Sequence, residues 1–358
     1  MTRSFSLYLD ALRAAMALVV LLSHFAYPRF SDGDWIWVRE LNLGSDAVVV
    51  FFVLSGLVVA FAAETKDRGA RQYAFARATR ILSVALPALL LGFVLDRTGA
   101  AIAPANYANQ FYFQMPLPEM LLRGLSFSNE WGWAPARLGT NGPYWSLSYE
   151  VGYYALFGVV LYASGYRRIA LLCLGAVVLG PAILLLSPCW VAGVLLWRRR
   201  EQIAGIPLPR AWGLALLPVG FYMTALFVDL PTLLKSWTTQ WGAARLPLRF
   251  SDEFLWNWVL AAAVAMHLAG VMALARSDTV LGGLVIRWLA GASFSIYLVH
   301  YPVLTFLDAL LPAFGGRQLG LLLGTLVVCL AFASVFERPL KRIRDMLGRL
   351  PSMAEVRA

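Results

Sequence analysis

Charged side chains are scarce in this sequence. Asp, Glu, Lys and Arg make up 14% of the 358 residues, whereas a typical soluble domain has about 25%. Hydrophobic residues reach 60%, and the mean hydropathy is +0.67. This composition lies far from that of soluble globular domains, so the sequence predicts an all-α polytopic membrane protein.

Cysteine and histidine are also rare, with three residues of each. Cys173, Cys189 and Cys329 all lie in apolar runs, without metal-ligand spacing or an obvious partner. We therefore expect neither a disulfide framework nor a metal site. No small-residue cleavage site follows the first apolar stretch, which is predicted to be a retained helix and not a removed signal peptide.

Acidic residues are outnumbered by basic ones, 20 to 30, which gives a formal net charge of +10. Such a charge can indicate nucleic-acid binding. In a membrane protein the simpler explanation is an excess of Lys and Arg on cytoplasmic loops, so no nucleic-acid partner is expected. The 13 Trp, 14 Tyr and 21 Phe residues suit aromatic belts in contact with membrane lipids.

Long apolar runs dominate the rest of the chain. A helix needs about 20 apolar residues to cross a bilayer, and about ten runs qualify as candidates. The sixth run is short and begins at Pro188, so it could be tilted or only partly inserted. The predicted spans are residues 8–27, 45–63, 79–96, 145–164, 168–187, 188–199, 211–229, 255–275, 285–307 and 318–336.

The orientation of these spans follows from the distribution of basic residues. With the N-terminus inside, the inner segments hold about twice as many Lys and Arg residues as the outer segments. This bias predicts that both termini are cytoplasmic. The aromatic stretch within residues 100–144 is expected to be re-entrant or interfacial and not to span, because an additional crossing would place Arg198, Arg199 and Arg200 outside.

Ionisable residues inside the spans are the first candidates for function. Asp10 and Arg13 are three residues apart and can pair on one helix face. His24 lies on the same face as Arg13, about three turns further out. Glu150 and His300 fall in the outer half of two other spans, so we expect them to meet His24 at one depth. There a carboxylate could orient the imidazole and stabilise its protonated form during general-base catalysis.

The start of the third span, on the inner side of the membrane, contains a second group of candidate residues. Arg77 and Arg80 are three residues apart and point the same way. An ordinary positive-inside anchor is the simplest explanation of such a pair. The functional alternative is a clamp for the phosphates of a ligand.

These residues lie in sequence blocks that together resemble the acyltransferase-3 family of integral membrane O-acyltransferases. The blocks run in the family's order from residue 8 to residue 339, and the six in sequence make the resemblance specific. They are YLDALRAAMALVVLLSHF (8–25), GSDAVVVFFVLSG (44–56), the Arg-x-x-Arg pair (77–80), YWSLSYEVGYY (144–154), SFSIYLVHYP (293–302) and Glu-Arg-Pro (337–339).

The resemblance implies transfer of an acyl group, usually acetyl, from cytoplasmic acyl-CoA to a hydroxyl of a carbohydrate or lipid-linked sugar. The donor is a substrate, and no permanently bound cofactor is expected. Residues 1–342 are predicted to form the membrane acyltransferase domain in the inner membrane, and residues 343–358 a short basic tail. Many members carry an additional outer domain that completes the transfer. This sequence ends 19 residues after Pro339, so the chain is expected either to act alone or to meet a separate outer-side partner or a second copy of itself in a homo-oligomer.

The predicted mechanism joins the resemblance to the charges. Arg77 and Arg80, with Arg13 deeper, bind the CoA phosphates. His24 either takes the proton of the acceptor hydroxyl or is itself acylated, and Glu150 assists it. Four further residues are predicted to line the acceptor site: Trp145, Ser146, Tyr297 and His300.

Two other function classes remain open at this point. A proton-coupled transporter or exporter would also use intramembrane Glu, His and Arg residues, although the inverted repeats and broken helices common in transporters are not apparent in the sequence. A membrane scaffold without chemistry is the third class. Turnover of labelled acyl-CoA by the purified protein separates the enzyme from both.

Overall fold

The computed structural model describes residues 1–132, 135–240, 248–275 and 283–348. Within these ranges the secondary structure is helical, apart from two isolated β-bridges between residues 113 and 141. Eight of the described helices are long and apolar enough to cross a membrane. The predicted all-α polytopic membrane class is confirmed.

The first half of the chain contains three long helices, the polar helix α8 and four short connecting helices. The bounds are α1 (Arg3–Phe25), α2 (Pro28–Ser31), α3 (Ile36–Glu40), α4 (Leu43–Thr65), α5 (Ala70–Ile102), α6 (Pro104–Tyr107), α7 (Leu117–Leu125) and α8 (Trp145–Tyr162).

The second half contains five long helices joined by shorter ones. The bounds are α9 (Gly165–Arg198), α10 (Arg200–Ala204), α11 (Leu208–Phe227), α12 (Leu230–Gln240), α13 (Phe254–Leu274), α14 (Gly283–Ala290), α15 (Ser293–Leu310), α16 (Arg317–Phe336) and α17 (Leu340–Gly348).

Helix α9 contains two crossings that reverse direction at Gly180. This residue has φ +80° and ψ 173°, a conformation that is open to glycine and closed to most other residues. Before it, Gly175 packs against Leu156 of α8, and after it the carbonyl of Ile183 accepts a hydrogen bond from Tyr153, one turn nearer the start of α8. The later part of α9 then descends along α4. The predicted spans 168–187 and 188–199 therefore exist, with their boundary moved to Gly180.

Eight described helices qualify as spans; with the reversal of α9 at Gly180 and with α8 beside it, the described residues are compatible with the ten predicted crossings. Helix ends meet in two groups, as alternating crossings require. At one face the Thr2 hydroxyl donates to the carbonyl of Ala275, 2.8 Å away. At the other face the Asn42 amide donates to Glu253 at 2.7 Å. We call these the N-terminal face and the opposite face.

The segment between α5 and α8 does not cross, as predicted. Its longest helix, α7, has nine residues and packs back against the opposite-face half of α5, where Gly124 meets the side chain of Leu89. The Tyr144 hydroxyl, fully buried, donates to the carbonyl of Gly124 at 2.9 Å. This segment therefore covers the start of α8 and places its first turn inside the protein.

Helices α4 and α15 are the most buried of the spans and lie at the centre of the bundle. Helix α4 approaches the second part of α9 very closely, because a Cβ at Gly193 would lie 1.9 Å from the carbonyl oxygen of Val53. Helix α15 is fixed at its start by Glu337, which accepts hydrogen bonds from the backbone amides of Ser295 at 2.8 Å and Phe294 at 3.3 Å. The two central helices carry much of the site.

Helix α17 lies against the N-terminal end of α5. The Arg344 guanidinium donates to the Thr79 hydroxyl at 2.9 Å and to the carbonyl of Ala76. The predicted boundary between domain and tail, at residues 342 and 343, falls within this helix. Residues 349–358 of the predicted tail lie outside the described residues.

Candidate active site

A cavity of about 530 Å³ enters the bundle from the N-terminal face. It lies between α1, α4, α5, α8 and α15, and it extends past Ser55 and Glu150 as far as Val48, Ser146 and Tyr297. Basic side chains outnumber acidic ones in its lining, so the cavity suits an anionic ligand. The basic residues that line it are Arg13, Lys66, Arg77, Arg80 and Arg344.

Arg77 is engaged by the protein itself. Its guanidinium forms a buried ion pair with Asp67 and donates to the carbonyls of Tyr73 at 3.2 Å and Val59 at 3.3 Å. The side chains of Arg77 and Asp67 are only 8% and 6% exposed. Arg77 was predicted to bind phosphate, but its donors are directed to these partners, and the structure assigns it to holding the cavity mouth.

Replacing Arg77 by Ala should therefore act on folding. Removing one member of a buried ion pair leaves the other charge unpaired, at a cost of about 3–5 kcal/mol. We expect a lower melting temperature of the detergent-solubilised Arg77→Ala protein, with Arg80→Ala as the matched control three residues along the same helix. A wild-type melting temperature for Arg77→Ala would contradict this assignment.

Arg80 differs from Arg77 in that its guanidinium is available to bind a ligand. Its side chain is exposed to the cavity, and among the described residues it has neither an ion-pair partner nor a hydrogen bond. Lys66 and Arg344 flank it at the mouth. The sequence does not identify Arg344 as a cavity residue, because residues 343–358 are predicted to form a tail.

Arg13 lies deeper in the same cavity. It pairs with Asp10 at 3.1 Å, as the i, i+3 spacing predicts, and also donates to the carbonyl of Ala290 at 3.3 Å. Its Nε is buried and has no partner among the described residues. Arg13 is thus held in place while one N–H group remains unused.

Glu150 lines this cavity deeper than the basic residues at its mouth. Ser55 and Tyr154 both donate to its Oε1, each at 2.5 Å, and no described residue hydrogen-bonds to Oε2. The prediction that Glu150 pairs with His24 is wrong in this geometry. Glu150 accepts a hydrogen bond from Ser55, whereas Ser23, the residue before His24, lies against Gly44 near the start of α4. The partners of His24 are His300 and the carbonyl of Val20.

A second, smaller cavity of about 150 Å³ lies on the opposite-face side of the first. We call it the outer pocket. His24 lines it, and Trp145 forms one wall, stacked on Phe250 with ring centroids 4.3 Å apart. Arg39 and Arg137 also line it.

His24 is oriented by His300. Nδ1 of His300 lies 2.8 Å from the carbonyl of Ile296, so it carries the proton, and Nε2 of His300 is then an acceptor. Nδ1 of His24 lies 3.1 Å from that Nε2 and 3.0 Å from the carbonyl of Val20. The network therefore assigns the proton of His24 to Nδ1 and leaves Nε2 as a free base at the pocket.

His300 was predicted to line the acceptor site, and the structure corrects this placement. The side chain is fully buried, lines neither cavity and contacts the ring of His24. Its role is that of a positioning residue. The sequence predicts its depth in the membrane but assigns it to the acceptor site, whereas the structure places it against His24.

Tyr297 separates the two cavities, since it lines both. Its hydroxyl donates to Ser146 at 2.7 Å and lies 3.0 Å from the carbonyl of Pro143. Ser146 lines the larger cavity, not the outer pocket where the acceptor was expected. Among the described residues, no group of three or more His, Cys, Asp or Glu side chains could hold a metal ion.

A family model for an acyltransferase domain, that of the acyltransferase-3 family, matches residues 6–336. The chain belongs to this family. The match covers nearly the whole chain and includes every site residue described above except Arg344. No curated protein and no solved structure matches the chain. The protein is a multi-pass membrane acyltransferase.

Proposed function

We propose that the protein transfers an acyl group, in the simplest case acetyl, from acyl-CoA to a hydroxyl of a carbohydrate or lipid-linked sugar at the inner membrane. The observation that carries the proposal is the pair of cavities that meet at Tyr297. One is basic and opens at the N-terminal face, which the charge bias predicts to be cytoplasmic. The other holds an oriented histidine with a free ring nitrogen.

The larger cavity fits the chemistry of the donor. The CoA phosphates would bind Arg80, Lys66 and Arg344 at the mouth through charge-assisted hydrogen bonds. An extended pantetheine arm reaches about 15–20 Å, enough to carry the thioester past Arg13 and Glu150 towards Tyr297. The free Oε2 of Glu150 is suited to accept an amide N–H of that arm.

The outer pocket supplies the base. Nε2 of His24 would take the proton of the acceptor hydroxyl as its oxygen attacks the thioester carbonyl. The carbon–sulfur bond breaks, the ester forms, and the imidazolium returns its proton to the CoA thiolate. Nε2 of His300 stabilises the protonated ring by accepting the hydrogen bond from Nδ1.

A covalent route uses the same atoms. In that route Nε2 of His24 attacks the thioester carbonyl, the carbon–sulfur bond breaks, and CoA leaves as thiolate with an acyl-imidazolium on the protein. The acceptor hydroxyl then takes the acyl group, its proton passes to the thiolate, and the neutral imidazole is restored. Rapid quenching with labelled acetyl-CoA in the absence of acceptor distinguishes the two. Label bound to the protein at His24 supports the covalent route, and unlabelled protein supports direct transfer.

Arg80→Ala should weaken donor binding. A hydrogen bond to a charged group contributes about 1.5–3 kcal/mol, and the exposure of Arg80 favours the lower figure, which corresponds to about a tenfold rise in the KM for acyl-CoA. The kcat should change little, because Arg80 is far from the reacting carbonyl. The measurement is steady-state kinetics normalised to folded protein.

Arg71→Ala is the matched control for Arg80→Ala, since Arg71 is exposed on the same helix and does not line the cavity. Its KM should equal that of the wild type. Equal KM values for Arg80→Ala and Arg71→Ala would place the donor phosphates elsewhere.

The acceptor is named by comparing cells with and without the chain. Mass spectrometry of envelope glycans and exported metabolites should show one class of compound that loses an acyl group when the chain is absent. A transporter would instead change the location of a compound without changing its acylation.

A further inference from the structure

The outer pocket contains two guanidinium groups beside the proposed base. Arg39 comes from α3, and Arg137 comes from the segment that covers α8. No Asp or Glu side chain lines this pocket, and neither arginine has an ion-pair partner among the described residues. Both arginines are partly exposed to solvent, and two cations that share one pocket without a counter-charge create a positive potential that attracts an anionic ligand.

Each arginine is held by one carbonyl and one aromatic ring. Arg39 donates to the carbonyl of Ser23 at 3.0 Å and lies 3.6 Å from the centre of the Tyr27 ring. Arg137 donates to the carbonyl of Phe111 at 3.3 Å. A guanidinium carries several N–H donors, so most of them stay available for a ligand while these contacts fix its position.

Two carboxylates close in the chain to pocket residues have cationic partners. Glu130 pairs with Arg249 at 2.9 Å; burial raises the pKa of Glu130 to about 7, and the positive charges of Arg249 and Arg137 act against that rise. Glu253 pairs with Lys235 at 3.1 Å and accepts a hydrogen bond from Asn42. Neither carboxylate lines the pocket, and neither forms an ion pair with Arg39 or Arg137 among the described residues.

We propose that the acceptor carries an anionic group, a carboxylate or a phosphate, close to the hydroxyl that is acylated. This inference rests on the proposed function of the same pocket. The cavity of about 150 Å³ has room for about five waters at about 30 Å³ each. This space can hold one edge of a single sugar residue that carries one acidic group. Trp145 supplies the aromatic face on which such a ring would stack.

Arg39 and Arg137 bind the anion in this arrangement, and His24 receives the hydroxyl. A bidentate guanidinium contact fixes both the position and the rotation of a carboxylate or phosphate. The anion therefore selects which hydroxyl of a sugar faces Nε2 of His24. The two arginines would determine acceptor specificity without taking part in proton transfer.

The test compares binding of matched acceptor probes to the purified, detergent-solubilised protein by isothermal titration. Methyl glucuronide and methyl glucoside differ only in the carboxylate, and methyl glucoside 6-phosphate distinguishes a phosphate preference from a carboxylate preference. We expect at least one anionic probe to bind at least tenfold more tightly than methyl glucoside. Equal affinities, tighter binding of the neutral probe, or no binding of any probe would overturn the proposal.

The variant Arg39→Gln/Arg137→Gln should lose this preference and bind the charged and neutral probes with similar affinity. Arg97→Gln is the matched control, since Arg97 lies towards the same face, donates to the carbonyl of Met115 and does not line the pocket. It should keep the preference. A preference that survives in the double variant would overturn the proposal.

Lipid headgroups are the other source of the same anionic chemistry. Repeating the titration in vesicles of neutral lipid and of phosphatidylglycerol distinguishes an acceptor anion from a lipid headgroup. If phosphatidylglycerol abolishes the preference, the pocket binds lipid phosphate and the proposal is overturned; an unchanged preference supports it. Turnover of acyl-CoA, measured separately, tests the proposed function. A failure of the anion preference therefore does not imply a failure of acyl transfer, and the reverse also holds.

Discussion

His24→Ala is expected to reduce the rate of acyl transfer by about 10²–10⁴-fold or more, while the protein still folds and inserts. The ring supplies the only free base that the described residues place at the outer pocket, and removing a positioned proton acceptor typically costs this much. The measurement is release of CoA from acyl-CoA by purified protein, with a saturating hydroxyl acceptor and rates normalised to folded protein.

His267→Ala provides the matched control for the loss of an intramembrane histidine. His267 bonds to the hydroxyl of Tyr8 and, at 2.6 Å, to the carbonyl of Ala215, and it lines neither cavity. Its removal should reduce stability and leave the rate per folded molecule near that of the wild type. Near-normal turnover in His24→Ala would exclude both the general-base and the covalent mechanism.

His300→Leu is expected to lower kcat by about 10–100-fold and to leave the KM for acyl-CoA unchanged. Leucine removes the acceptor for the Nδ1 proton of His24. A hydrogen bond to a charged group is worth about 1.5–3 kcal/mol, and here it forms with the imidazolium during the reaction.

His300→Gln should recover part of the lost activity, since its amide oxygen can accept the same hydrogen bond. A merely structural role would instead make Leu, which preserves packing, the better substitute. A double-mutant cycle adds a second criterion. Residues that act as one unit lose less together than the product of their separate losses, so His24 and His300 should be strongly non-additive.

The order and number of crossings could be read from the sequence, because apolar length and the charge bias are local properties. The reversal in α9 could not be placed, since its apolar run is continuous and only the φ of Gly180 marks the turn. Helix α8 was found as a span despite its Ser, Tyr and Glu residues. The depth of α8 in the bundle could not be predicted, because its first turn is covered by the buried segment around Tyr144 and not by solvent.

The individual site residues were predicted better than their partners. Arg13 pairs with Asp10 because both lie on one helix, where spacing determines contact. The partners of His24 and Glu150 come from other helices, and their rotation and axial offset depend on packing. The buried pairing of Arg77 with Asp67 shows the same limit, because it depends on the path of the chain between α4 and α5.

Transfer across the membrane tests the central claim most directly. Proteoliposomes are loaded with labelled acetyl-CoA in the lumen, and membrane-impermeant methyl glucoside and methyl glucuronide are added outside. Molecules whose N-terminal face points to the lumen should place label on an external glycoside, and His24→Ala should place none. A parallel preparation encloses the glycosides with the donor. Label that appears only in that preparation, or an intact thioester in the wild type, would contradict the account.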